Sequence, residues 1–199
     1  MTSSEIIQSI QNWEDIRQDS ELMIRYFGQG NSYAYSFPSY GSSSDFIHAY
    51  PGIYMGELYF FMIPSAYDKE EYSTTIDKYT EPCLLVNTLG SDDRLSPGEA
   101  EARIKAWESN YPVWVTAQVN GAYGIFEAFA IPKQDFEVEN VVVTLGLKTD
   151  ATASGGFEAD LIVTNGEGKN AVYDDFSKPV PPYSAAPSQE DFYLLSANI

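Results

Sequence analysis

Short apolar runs of strand length recur along this chain and limit what it can fold into. The run GELYFFMIP, residues 56–64, is densely apolar and ends at a proline, which is typical of a buried strand. CLLVNTL (residues 83–89) and EVENVVVTLGL (residues 137–147) are similar runs. In FEADLIV, residues 157–163, apolar side chains alternate with others, as in a strand with one buried face. Because such runs outnumber helical segments, we expect strands to dominate the fold.

The N-terminal segment predicts a helix. Ile6, Ile10 and Trp13 recur at the spacing of one helix face. Thr2 and Glu5 fit a capping box, in which each side chain bonds to the backbone of the other residue. We therefore expect a helix that docks on the main body.

The segment SPGEAEARIKAWESN, residues 96–110, carries the strongest helix signal. Ser96 is the expected N-cap, Pro97 takes the first helical position, and Glu99 closes a capping box. The helix is expected to end near Asn110, because a proline follows two residues later. Its buried stripe is predicted to contain Ala100, Ile104 and Trp107.

The next segment predicts a β-hairpin. VWVTAQV (residues 113–119) and AYGIFEAFAI (residues 122–131) both have the composition of strands, and Asn120-Gly121 lies between them. Asn-Gly favours a two-residue turn because both positions must take a positive φ.

Together these segments predict an α+β fold, a mostly antiparallel sheet with two or three packed helices, in one globular domain over residues 1–199. A Gly/Ser/Tyr-rich stretch at residues 28–52 is interpreted as a long loop with room for one short strand. A proline-rich arm at residues 177–189 leads to an apolar tail, which docks on its own sheet or on that of a second copy.

The net charge of −18 is the clearest global signal about partners. A chain this acidic repels phosphate backbones and anionic lipid, so we expect no nucleic-acid or membrane binding. It attracts cations or a basic partner, unless the charge serves solubility alone. A protein partner or a homo-dimer is the expected kind of assembly.

The single cysteine, Cys83, rules out an intramolecular disulfide and lies in an apolar run typical of a core position. The first residues lack the basic and apolar regions of a signal peptide, and no apolar stretch has the length of a membrane span. We therefore expect a cytoplasmic protein.

The only histidine, His48, lies in SYGSSSDFIHAYPG, residues 39–52, where three serines precede Asp45. A nucleophile, an orienting carboxylate and a base are thus all present, as a serine hydrolase requires. Residues adjacent in one loop seldom hold that geometry, however, and the sequence lacks a G-x-S-x-G elbow. Asp45 and His48 are therefore weak catalytic candidates, and a loop histidine bonded to Asp45 or to the backbone is the simpler expectation.

No metal or cofactor motif is complete. One histidine and one cysteine cannot form a usual zinc site, and the glycine-rich phosphate-binding patterns are missing. Calcium takes oxygen ligands, and the chain offers paired aspartates that do not follow the EF-hand spacing. These weak calcium candidates are Asp92, Asp93, Asp174 and Asp175. We expect no bound cofactor.

Two hypotheses for function remain. The first is a non-enzymatic binding or structural module, for which an exposed tyrosine surface would be typical. The second is a small hydrolase with a site near Asp45 and His48, or with an unassigned pair among the 29 acidic residues.

Overall fold

Two antiparallel sheets, with helices packed on them, form the core of the fold. The computed structural model describes residues 1–86, 98–168, 171–175, 177–183 and 187–197. The helices are α1 (Ser3–Ile16), α2 (Ser20–Phe27), α3 (Glu99–Val119) and α4 (Tyr193–Ser196). The strands are β1 (Ser32–Ser36), β2 (Phe46–Tyr54), β3 (Glu57–Pro64), β4 (Glu81–Cys83), β5 (Ala128–Pro132), β6 (Asn140–Thr149), β7 (Phe157–Asn165), β8 (Val172–Asp174) and β9 (Lys178–Val180).

The strand order is β1-β6-β7-β8 in one sheet and β4-β3-β2-β5-β9 in the other. All the pairs are antiparallel, which confirms the predicted α+β class, although the strands divide between two sheets. The sheets join at one edge, where the Val86 N–H donates to the Ser32 carbonyl (2.8 Å) and the Ala34 N–H to the Leu84 carbonyl (3.3 Å).

The larger hydrophobic core lies between the two sheets and includes α2 and α3. Alternate side chains of β6 and β7 face it, among them Ala159, Leu161 and Val163. The residues between these three on β7 are buried as well, so the strand has two buried faces and not the single one that its sequence pattern predicts. Trp107 of α3 is 1% exposed, as predicted, whereas Ile104 is only half-buried.

A second core covers the opposite face of the five-stranded sheet. α1 lies across β2 there, so closely that a Cβ on Gly52 would come within 3.0 Å of the Ser9 backbone. The Thr2–Glu5 capping box that begins α1 is present as predicted. The C-terminal segment, residues 187–197, supplies Phe192 and Leu194 to this core, so the tail docks on its own chain.

Helix α3 corrects two predictions. It continues through Pro112 to Val119 instead of ending near Asn110, and Asn120 has a φ of −91°, so the predicted Asn120-Gly121 hairpin is wrong. The helix extends because Trp114 and Val115 continue the buried face of Trp107. Burying side chains of this size offsets an interior proline, which costs about 3 kcal/mol. The predicted cap, Ser96 and Pro97, lies outside the described residues.

The tight hairpin of the fold lies instead between β2 and β3. Tyr54 pairs with Glu57, and the two turn residues, Met55 and Gly56, have φ values of 51° and 84°. These are the positive φ angles of a type I′ turn, whose twist matches that of the flanking strands.

The interpretation of residues 28–52 as a long loop is also wrong. β1, a 3₁₀ turn at Ser39–Ser43 and most of β2 occupy this stretch. The proline-rich arm at residues 177–189 is extended where it forms β9, which pairs with β5. Part of that arm, residues 184–186, lies outside the described residues.

Candidate functional site

His48 lies on a central strand of the five-stranded sheet, not in a loop. Its register partners are Ile63 on β3 and Ala130 on β5, and its side chain is fully buried. Its Nδ1 is 2.7 Å from Oδ2 of Asp68, which is also buried. Asp45, the partner expected from the sequence, is exposed. The structure therefore replaces Asp45 with Asp68 as the carboxylate beside His48.

Asp68 joins three parts of the chain. It follows β3, and its Oδ2 accepts the Tyr50 hydroxyl as well as lying beside His48. Its Oδ1 accepts the backbone N–H of Leu194, at 3.2 Å. Burial, followed by the charge of Asp68, raises the pKa of Tyr50 well above its ordinary value, so this hydroxyl stays protonated and donates.

The C-terminal segment covers this group. The Phe192 ring stacks on the His48 imidazole with 4.2 Å between ring centroids, and it meets Tyr50 edge-on at 6.1 Å. Near the end of the segment, the Gln11 amide donates to the Ala197 carbonyl at 3.0 Å. His48 Nδ1 is thus committed to Asp68, while Nε2 is buried without a hydrogen-bond partner among the described residues.

A cavity of about 990 Å³ adjoins His48. Segments 43–46, 65–70 and 187–196 contribute its other lining residues, and we call this space the acidic cavity. Its lining carries several carboxylates against a single lysine, Lys69, together with serine hydroxyls. A cavity of this size is large enough for a small-molecule ligand or a peptide side chain.

Four tyrosines, on chain segments that also line the acidic cavity, lie in contact, and we call them the tyrosine cluster: Tyr40, Tyr67, Tyr72 and Tyr79. Tyr67 and Tyr79 stack with 4.2 Å between centroids and an interplanar angle of 11°. Tyr40 and Tyr72 each meet both of these rings at 5.3–5.7 Å. Tyr40 is 38% exposed and the other three are half-buried.

The tyrosine cluster lies in a negative potential. The charge of Glu71 is the main cause that raises the pKa of Tyr72 above its ordinary value. Burial raises the pKa of Tyr40, with Glu81 contributing. Tyr40 comes from the 3₁₀ turn after β1 and the others from the segment after β3, so two elements that border the acidic cavity also build the cluster.

The calcium candidates have other partners where the structure describes them. Asp174 accepts a hydrogen bond from the Asn165 amide at 3.0 Å, and Asp175 lies 2.5 Å from the Arg103 guanidinium. Within the described residues, no group of three or more His, Cys, Asp or Glu side chains is arranged to hold a metal ion. Asp92 and Asp93 lie outside those residues, so their role stays a prediction.

A smaller cavity of about 220 Å³ brings Asp150 and Glu158 together with aromatic side chains. Hydrogen bonds from Thr152 lower the pKa of Asp150, and Glu158 lies 3.4 Å from the Lys148 ammonium. A glycosidase needs one carboxyl group with a raised pKa to act as the acid. These contacts do not favour that role for Asp150.

The sequence interpretation missed Asp68 and Tyr50. One signal was present: Phe46, His48 and Tyr50 alternate along the chain, as residues on one face of a strand do. The serines and prolines around them concealed the strand. Asp68 carries no such signal, because its approach to His48 depends on the pairing of β2 with β3.

Comparison with known proteins gives no relative: no protein family, no curated protein and no solved structure matches this chain. Among the described helices, none combines the length and the apolar character needed to cross a membrane.

Proposed function

We propose that this protein is a binding module for a basic segment of a partner protein, and that the tyrosine cluster is the contact surface. The observation that carries the proposal is a stacked tyrosine pair flanked by two further tyrosines, all partly exposed, at a surface where carboxylates outnumber lysines. Tyrosine gives a large, stiff contact area at low entropic cost, which is why binding surfaces are rich in it.

The negative charge around the tyrosine cluster favours a basic partner. Glu70, Glu71 and Asp77 are exposed beside the tyrosine cluster, against Lys69 and Lys78. Arginine suits such a surface, because its guanidinium stacks on aromatic faces and is attracted to carboxylates. Each such contact contributes about 0.5–1 kcal/mol at an exposed site.

The same charge argues against a second copy of this chain on this surface. Two copies, each with a net charge of −18, repel one another when like-charged faces meet. A different, basic partner is therefore favoured over the homo-dimer.

Calorimetric titration with hexa-arginine tests the proposal. Replacing both Tyr40 and Tyr72 with leucine leaves the stacked pair and every charge in place, so it isolates the aromatic contribution. Losing two cation–π contacts is expected to weaken hexa-arginine binding by about tenfold. Hexa-lysine is expected to bind the unaltered protein more weakly than hexa-arginine.

Tyr123→Leu is the matched control, because Tyr123 is 59% exposed and lines the smaller cavity instead. This control is expected to bind hexa-arginine with unchanged affinity. If the Tyr40/Tyr72 variant and the control bind hexa-arginine equally tightly, general charge attraction alone accounts for the binding. That result would contradict the proposal.

A small hydrolase that uses His48 is the second proposed function, supported by the buried His48–Asp68 pair. A carboxylate on Nδ1 orients an imidazole so that Nε2 acts as the base. No described side chain, however, lies within hydrogen-bond distance of Nε2 as a nucleophile. Hydrolysis of p-nitrophenyl acetate tests this function. Turnover by the unaltered protein that is lost in both His48→Phe and Asp68→Asn supports it. A rate for the unaltered protein equal to that of free imidazole at the same concentration opposes it.

A further inference from the structure

The hydrogen bonds around Asp68 indicate which ring nitrogen of His48 carries a hydrogen. Oδ1 accepts the Leu194 N–H and Oδ2 accepts the Tyr50 hydroxyl, and both of these groups are donors here. We assign the ionised form to Asp68, because an ionised carboxylate only accepts and both of its oxygens do so here. His48 Nδ1, 2.7 Å from Oδ2, therefore carries its hydrogen and donates it.

This arrangement leaves Nε2 as the open position of the ring. In the neutral imidazole with hydrogen on Nδ1, Nε2 has a lone pair and accepts a hydrogen bond. It is buried and has no partner within the described residues. A buried polar group without a partner costs about 1–3 kcal/mol, so a ligand that donates to Nε2 recovers that energy.

The acidic cavity that His48 adjoins favours a positively charged donor. Asp45, Glu70 and Glu190 are exposed on its lining, where Lys69 is the single basic side chain. The hydroxyls of Ser44 and Ser65 accept backbone N–H groups at 3.1 and 3.3 Å. Each hydroxyl retains a second lone pair for a ligand. An ammonium group has three donors and no acceptor, so it complements the carboxylate and hydroxyl oxygens that line the cavity.

We propose that the acidic cavity binds a primary ammonium group, from a lysine side chain or from a free amine, through a hydrogen bond to His48 Nε2. The inference rests on the proposed function, since the same acidic face would draw in the basic ligand. Because Nε2 is buried, the C-terminal segment that covers the ring through Phe192 shifts outward as the ligand enters. Besides its packing in the second core, that segment is held by the Leu194 N–H bond to Asp68 and the Gln11 bond to the Ala197 carbonyl, and the shift must break these contacts locally.

The imidazole ¹⁵N resonances test the proposal, and the protein has only one histidine to observe. Butylamine is the free-amine probe and tri-lysine the side-chain probe, and butanol is the neutral control of equal length. We expect butylamine, tri-lysine or both to move the Nε2 resonance in the direction of a hydrogen-bonded acceptor, and butanol to leave it unchanged. The responding probe identifies the source of the ammonium group.

Two variants check the assignment. His48→Phe keeps an aromatic ring against Phe192 but removes Nε2, and Asp68→Asn removes the carboxylate that fixes the tautomer. Each is expected to weaken butylamine or tri-lysine binding by about tenfold or more, the effect of one hydrogen bond to a charged group. Hexa-arginine binding at the tyrosine cluster is expected to persist in both.

The inference is overturned if the Nε2 resonance does not move with either amine. It is also overturned if butanol moves the resonance as far as the amines do. If hexa-arginine still binds in that case, the proposed function stands without it. If the amines move Nε2 while hexa-arginine affinity is independent of the tyrosine cluster, the proposed function fails instead.

Discussion

His48 Nδ1 lies 2.7 Å from Asp68 Oδ2, and both side chains are buried between the five-stranded sheet and the C-terminal segment. The carboxylate is held by donors from β2 and from residue 194, which are far apart in sequence. A buried charge is tolerated only when such donors surround it. This one pair therefore links the central strand, the turn after β3 and the tail.

Replacing Asp68 is expected to be costly for stability. Asp68→Ala leaves Tyr50, His48 and the Leu194 N–H without their acceptor, so the free energy of unfolding should fall by about 3–5 kcal/mol. Urea denaturation measures this loss. Asp45→Ala is the control, because Asp45 is exposed, and it is expected to stay within about 0.5 kcal/mol of the unaltered protein. Equal effects of the two substitutions would contradict the assignment of Asp68 as the partner of His48.

The α1 capping box predicts a pH dependence. The Thr2 N–H and hydroxyl both donate to the Glu5 carboxylate, and the backbone bond is the main cause that lowers the pKa of Glu5. A lowered folded-state pKa gives stability that is present above the unfolded value, about 4.3, and is lost as the pH falls through the folded value. Glu5→Gln should therefore be less stable than the unaltered protein at neutral pH and equal to it in acid. Denaturation curves that differ equally at both pH values would oppose this account.

Cys83 is expected to resist thiol reagents in the folded protein. Burial, with a contribution from Glu81, raises the pKa of this thiol well above its ordinary value, so little thiolate forms. The rate of reaction with Ellman's reagent should rise steeply when urea unfolds the chain, and the single cysteine makes the count simple. Rapid reaction without denaturant would show that β4 is not packed as described.

The β2–β3 turn offers a stabilising substitution. Met55 has a φ of 51°, which disfavours most side chains, and it is 86% exposed, so no packing compensates. Asparagine tolerates this region, and Asn-Gly is the preferred pair of a type I′ turn. Met55→Asn should raise the free energy of unfolding by on the order of 1 kcal/mol, measured in urea. A decrease would show that the turn is of another type.

The sequence predicted the elements whose signal is local. The Thr2–Glu5 cap and the strand that ends at Pro64 both depend on neighbouring residues, and each is found. Residues 157–163 form a strand as well, but both of its faces are buried, because packing on the second face is not a local signal. Asn120-Gly121 wrongly predicted a hairpin turn. Trp114 and Val115 are buried on the same helix face as Trp107, and this tertiary packing outweighs the local turn propensity.

The candidate site could be predicted only in part. His48 was identified as the one base of the chain, but its partner was sought three residues away in a presumed loop. Asp68 reaches His48 only because β2 and β3 pair in register, and Phe192 only because the tail returns to the sheet. Contacts this distant in sequence leave no periodic pattern for a single sequence to reveal.

Mapping hexa-arginine on the protein by backbone NMR tests the central claim most directly. Chemical-shift changes are expected to concentrate in residues 39–43 and 65–81, which carry the tyrosine cluster and its carboxylates, and to weaken as salt screens the charges. Tyr123 and its neighbours around the smaller cavity should change little. Changes that centre on residues 113–126 and 150–159, or that spread evenly over every acidic side chain, would contradict the claim that the tyrosine cluster is the binding surface.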